Sequence, residues 1–283
     1  APLRLPVLGV LRRDDALTWR DRHLGLVPVA EHAGEVQAAL DRLAAAIERG
    51  CDLDAIAAVA RRAPARSEAA PAAAERAGRA RIAVAGGPAF TFTYRDNIEA
   101  LEQAGAEIVP FDPVHDARLP AGVDGLVVGG GFPEIYGEAL AANTPLLRDV
   151  HDRVTAGLAT WAECGGLLWL ARTLDGRPMA GVVAADATMT PRLTLGYRTA
   201  VVQRDTPIAP AGAGLRGHEF HYSRLDPPGD AVQLSSRFAA GSDGYATPTV
   251  LATYLHLHLG ADPTPAERFV GRCAHSSGGL CPT

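Results

Sequence analysis

From residue 80 onward, short apolar runs alternate with stretches of helical period. Arg81–Ala85, Glu107–Phe111, Gly125–Val128 and Leu158–Trp161 have the length and composition of buried strands. Thr93–Gln103, Pro133–Ala142, Pro145–Ala156 and Gly165–Thr173 predict helices between and after them, with Gly105 ending the first. Strands alternating with helices predict an α/β domain built on a mostly parallel sheet with helices on both faces. After residue 178 the pattern turns β-rich to about 255, and a last helix is predicted from Pro263 to about Cys273.

The stretch before residue 80 is of another kind. Pro6–Leu11 predicts a short buried strand. Val36, Leu40, Leu43 and Ile47 recur at steps of three and four, which predicts a helix over 31–49. A second helix is predicted over Asp52–Arg61, with Asp52 or Asp54 near its start. Residues 63–79 are rich in Ala, Pro and Arg, the composition of a linker. The expected division is therefore an N-terminal piece over 1–62, a linker over 63–79, a main domain over 80–275 and a tail over 276–283. One strand and two helices are too little for a complete α/β domain.

Composition narrows the functional classes. A net charge of -5 argues against a nucleic-acid partner, and no apolar run is long enough to cross a bilayer. The first residues lack the basic-then-apolar order of a secretory signal, so the cytoplasm is the expected location. Cys51, Cys164, Cys273 and Cys281 are scattered and form no CxxC pair, which disfavours zinc and thioredoxin-like chemistry. A Cys273–Cys281 bridge is disfavoured in a reducing compartment. The chain contains no lysine, so no P-loop of the Gly-Lys-Ser/Thr form lies within it.

The predicted strand ending at Trp161 runs into Ala162-Glu163-Cys164-Gly165-Gly166 and then a helix. Small residues two before and two after Cys164 fit a nucleophile elbow, and the following helix N-terminus favours thiolate. The same spacing also fits a glycine-rich turn that happens to hold a cysteine. Gly129-Gly130-Gly131 follows a strand and precedes a helix, where backbone N–H groups can meet developing negative charge. A plain βα turn reads the same way. Val250–Leu259 alternates as one strand, with Val250, Ala252, Tyr254, His256 and His258 on one face. Either histidine can serve as a base; a metal site there lacks further ligands of clear spacing. Gly217–Ser223 alternates too, placing His218, Phe220 and Tyr222 on one face and Glu219, His221 and Ser223 on the other.

Taken in order, Gly129–Glu134, Ala162–Leu167, Gly217–Ser223 and Tyr254–His258 resemble the cobyrinic acid and hydrogenobyrinic acid a,c-diamide synthases of cobalamin biosynthesis. The resemblance covers roughly 80–275 and extends to Leu8–Asp14 and Arg22–Leu26. It implies a class I, flavodoxin-like glutamine amidotransferase domain preceded by the C-terminal end of an ATP-dependent P-loop synthetase domain. It implies Cys164 as nucleophile and His256 as base, with Gly129, Gly130, Gly131 and Gly165 around the oxyanion and the glutamine. Many such glutaminases carry Glu two residues after the histidine; here His258 stands there, leaving Glu219, His258 and His218 as candidate supporting groups. The full enzyme is expected to be a carbon–nitrogen ligase using ATP, Mg2+ and glutamine to amidate the a and c acetates of a corrin acid. This chain is expected to supply the glutaminase half, which needs no cofactor, to a synthetase domain in cis or in trans, with a homodimer as a further expectation. A cobyric acid synthase-like amidotransferase, another α/β cysteine hydrolase and a non-catalytic truncated domain are the alternatives.

Overall fold

The computed structural model describes residues 5–18, 33–65, 75–237 and 240–276. Arg22–Leu26, Cys281 and most of the predicted linker and tail lie outside them. The chain forms two compact units, Ala1–Ala69 and Ala70–Thr283.

In the first unit, helix α1 spans Ala33–Gly50 and α2 spans Leu53–Arg61. The Asp52 side chain caps α2 by accepting from the Ala55 N–H at 2.9 Å. The strand predicted over Pro6–Leu11 is not formed. Gly9 makes an isolated bridge to Cys51, with Asp52 N–H donating to Leu8 O and Val10 N–H to Gly50 O. Among the described residues no strand lies alongside to extend the ladder, and Val7 and Val10 stay exposed.

The second unit contains, in chain order, β1 (Ala80–Ala85), α3 (Arg95–Ala104), β2 (Ala106–Phe111), β3 (Gly125–Val128), α4 (Gly137–Ala142), α5 (Thr144–Thr155), β4 (Ala159–Glu163), α6 (Gly165–Leu170), β5 (Ala171–Leu174), β6 (Arg177–Pro178), β7 (Val183–Val202), β8 (Gly214–Asp226), β9 (Val232–Ser235), β10 (Ala240–Asp243), β11 (Tyr245–Thr247), β12 (Val250–Thr253), β13 (His256–Leu257) and α7 (Thr264–Ser276). A six-stranded sheet runs β11-β12-β4-β3-β1-β2 and is parallel except for the edge strand β11. Alternation along its strands feeds two cores. Ala83, Leu126, Val128 and Ala252 face α4, α5 and α6, while Ile82, Val127, Trp161 and Leu251 face α3 and α7. Gly105 ends α3 in the left-handed region, as its position predicts (φ 111°).

The β-rich half is a second, seven-stranded sheet, which a description by one parallel sheet omits. Its path is β10-β9-β7-β5-β6, with β8 against β7 and β13 against β8, mostly antiparallel. Two predicted helices come out shorter. Residues before Gly137 form turns rather than the start of α4. Helix α6 stops at Leu170 because Ala171 leaves to pair with Val183 of β7.

Candidate active site

Strands β12, β4 and β3 are neighbours in that order and point the same way. Their carboxyl ends therefore bring the Gly129–Gly131 turn, Cys164 and the segment leading to His256 to one edge, where parallel α/β sheets bind ligands. Cys164 bridges the two outer strands: its N–H donates to Thr253 O at 2.8 Å, and Gly166 N–H donates to Gly129 O at 3.0 Å. Cys164 itself has φ 47° and ψ -99°, a conformation costly for an L residue and characteristic of a sharp strand-to-helix turn. Its buried sulfur lies 3.9 Å from Phe220 O. Burial, with Glu134 next, pushes the thiol up to about 12, against the Gly165 N–H aimed at it.

The predicted single strand over Val250–Leu259 is broken. Asp243 accepts from Tyr254 N–H at 2.8 Å and from the Thr253 hydroxyl, and Leu255 N–H turns to Thr253 Oγ1 at 3.1 Å. Side-chain acceptors thus take over the backbone donors that would continue β12. The chain crosses to the second sheet, where His256 pairs in register with His218 of β8. Their rings stack with centroids 4.9 Å apart. Burial, with His218 and His221 nearby, lowers His256 to about 4, so its imidazole is neutral and able to accept a proton.

The other candidates sort clearly. Gly130 N–H donates to Phe92 O at 3.1 Å, so it is not an oxyanion donor as expected; Phe92 N–H returns the bond to Gly130 O at 3.0 Å. Gly130 instead gives room: a Cβ there would stand 2.6 Å from His256 Cε1. Gly129 offers its carbonyl to α6. Gly131 and Gly165 pack so closely that a Cβ on Gly165 would lie 2.9 Å from Gly131 N, so the glycine turn lies directly against the residue that follows Cys164. Glu219 does not support His256: it is buried on the far face of β8, bonded to Arg198 and facing His221 Nε2 at 3.4 Å. His258 turns outward to Asp96 at 3.1 Å and packs edge-on against Tyr94. His218 stacks on His256 and meets Tyr94 edge-on.

Glu163 was not anticipated. It is buried, its Oε1 accepts from Leu257 N–H at 3.0 Å, and its Oε2 lies 3.9 Å from His256 Nδ1. Burial raises its carboxyl to about 8. A lone carboxyl in an otherwise uncharged strand was the available signal.

A cavity of about 520 Å3 opens against His256 and His218; Arg198, Arg216 and Arg237 line it, and among the described residues no Asp or Glu does. The chain has no lysine for a P-loop, and among the described residues no group of three His, Cys, Asp or Glu is placed to hold a metal ion. Among the described residues no helix is long and apolar enough to cross a membrane.

Comparison with known proteins shows the family. Hydrogenobyrinate a,c-diamide synthase of Streptomyces coelicolor is 43% identical over 96% of this chain and 63% of its own length. Cobyrinate a,c-diamide synthase of Synechococcus sp. is 38% identical over 98% of this chain and 63% of its own length. The chain thus spans about three-fifths of these relatives. Among solved structures, that of PurLQS from Thermotoga maritima superposes with a TM-score of 0.50 over 68% of this chain and 97% of its own, at 16% identity, a likeness of fold. The sequence pattern described as "CobB/CobQ-like glutamine amidotransferase domain" matches residues 81–264, covering the glycine turn, the cysteine turn and the His256 segment, and this chain belongs to that family.

Proposed function

We propose that this chain performs the glutamine-hydrolysing half-reaction of a synthase that amidates the a and c acetates of cobyrinate or hydrogenobyrinate. The observation that carries the reading is that the strained Cys164 turn and the neutral His256 both pack against the Gly130–Gly131 turn at one sheet edge. Cys164 Sγ attacks the side-chain amide carbon of glutamine while its proton passes to His256. The carbonyl π pair moves onto oxygen, where the Gly131 and Gly165 N–H groups receive it. The imidazolium returns the proton to the amide nitrogen, the C–N bond breaks and ammonia leaves. Water then adds to the thioester, giving glutamate and the free thiol.

The identity to diamide synthases supports a corrin acid as the final acceptor, and the arginine-lined cavity suits carboxylate-bearing ligands. ATP-dependent activation of the acceptor falls to a synthetase domain, and residues 1–62 are the end of that domain in this reading. Glutamate release by the wild type and by Cys164→Ala tests the proposal, together with labelling by a glutamine-based electrophile. Expected are loss of activity in Cys164→Ala and a label on Cys164 that spares Cys51 and Cys273. Full activity in Cys164→Ala overturns it.

A further inference from the structure

A histidine that shuttles a proton needs a hydrogen-bond acceptor on its second nitrogen, to fix the tautomer and to steady the imidazolium. The carboxyls near His256 are mostly engaged elsewhere. Asp96 holds His258, Glu219 holds Arg198 and faces His221, and Asp243 holds Thr253 and Tyr254. Glu163 is different. It ends β4, in register with Thr253 of β12, so its side chain reaches the two-residue strand that carries the histidine. One oxygen is anchored at 3.0 Å on the N–H of Leu257, and the other stands 3.9 Å from His256 Nδ1. Both side chains are 8% exposed, so little water competes for the contact.

We propose that Glu163 is the positioning residue of His256: anchored on Leu257 N–H, it accepts from Nδ1–H and leaves Nε2 to take the Cys164 proton. The inference rests on the Cys164–His256 reading and adds the third group to it. The nucleophile and the group that orients its base are then adjacent in sequence, one in the turn and one in the strand before it. The titratable groups facing this pair are His218 and His221 from β8, Tyr94 ahead of α3, and Cys164 itself. Near neutral pH Glu163 and His256 are both uncharged at rest, and a charge on His256 during turnover draws the carboxyl toward ionisation.

Glu163→Gln is a sharp test, because an amide has one acceptor oxygen where the carboxyl has two. With that oxygen kept on Leu257 N–H, the amide NH2 stands where the second oxygen was and cannot accept from Nδ1–H. The measurements are kcat and KM for glutamine hydrolysis from pH 6 to about 9.5, and 15N NMR of the His256 imidazole assigned with His256→Asn. Expected are a KM within about twofold of wild type, a kcat lower by about tenfold or more, and loss of any rise in rate between pH 7 and about 9. The His256 ring nitrogens are also expected to shift. A wild-type kcat, pH profile and imidazole signal in Glu163→Gln overturn the proposal and leave Glu163 as a tie between strands. Should Glu163→Gln fail to fold, the NMR comparison passes to Glu163→Asp, which keeps the carboxyl but withdraws it; an unchanged imidazole overturns the proposal equally. If the wild type itself hydrolyses no glutamine, the glutaminase reading falls, while the imidazole comparison still decides the role of Glu163.

Discussion

Gly130→Ala places one methyl group against the proposed base. The new Cβ would stand 2.6 Å from His256 Cε1 and 3.3 Å from Phe92 Cβ. Carbon atoms pack comfortably at about 3.5 to 4.0 Å, so roughly 1 Å of separation has to be found. The Gly130 backbone cannot readily supply it, being tied to Phe92 by reciprocal hydrogen bonds of 3.0 and 3.1 Å. The imidazole therefore moves, away from the glycine turn and toward the stacked His218. Its φ is not in the left-handed region, so the substitution tests the contact alone. Overpacking of this kind costs about 1 to 3 kcal/mol of stability, and a displacement of about 1 Å at a reacting group costs on the order of 100-fold in rate. Glutamine hydrolysis at saturation and urea unfolding measure the two effects separately. Gly214→Ala is the control, since a Cβ there has nothing within 4 Å. A Gly130→Ala protein with kcat within about twofold of wild type would refute the placement of His256 in the reaction.

Two further predictions concern protons. With burial holding the Cys164 thiol up at about 12 and His256 down at about 4, no thiolate–imidazolium pair exists at rest; iodoacetamide labelling of Cys164, followed by peptide mass spectrometry, should therefore climb steadily from pH 7 to about 10, and a plateau near neutrality would contradict it. Burial also raises Glu134 to about 7, Asp243 to about 6 and Glu163 to about 8. A carboxyl raised on folding binds its proton more tightly in the folded state, so its stabilising contribution is complete below the unfolded pKa and disappears as pH rises through the folded one. Stability should fall between about pH 4 and 8, and Glu134→Gln should stabilise the protein at pH 8.5 relative to pH 5, by at most about 3 kcal/mol; urea midpoints showing an equal effect at both pH values would count against it.

Much of the parallel sheet was legible because strands buried on both faces leave continuous apolar runs, as in Arg81–Ala85 and Gly125–Val128. The Cys164 turn was legible because its geometry demands small neighbours at fixed positions. The break after Thr253 was not. Its cause is Asp243, whose side chain captures donors that a local pattern assigns to the strand. Alternation put His256 and His258 on one face, while the chain turns between β12 and β13 and sends His258 to Asp96. Glu163 stayed hidden for the same reason. Its anchor, Leu257, lies 94 residues further along, and nothing beside it in the sequence announces the contact. Glu219 was credible as a candidate from its neighbours, but Arg198, brought alongside by β7, claims it.

The passage of the chain from β12 to β13 has a mechanical consequence. Cys164 is carried by the parallel sheet and His256 by the antiparallel one; only Tyr254 and Leu255 join β12 to β13. The proposed nucleophile and its proposed base thus sit on opposite banks of a seam. A slide of one sheet over the other by a fraction of a residue step would part them while leaving every helix and strand intact. Turnover is then a gauge of how the two sheets are aligned, and circular dichroism would be blind to the loss.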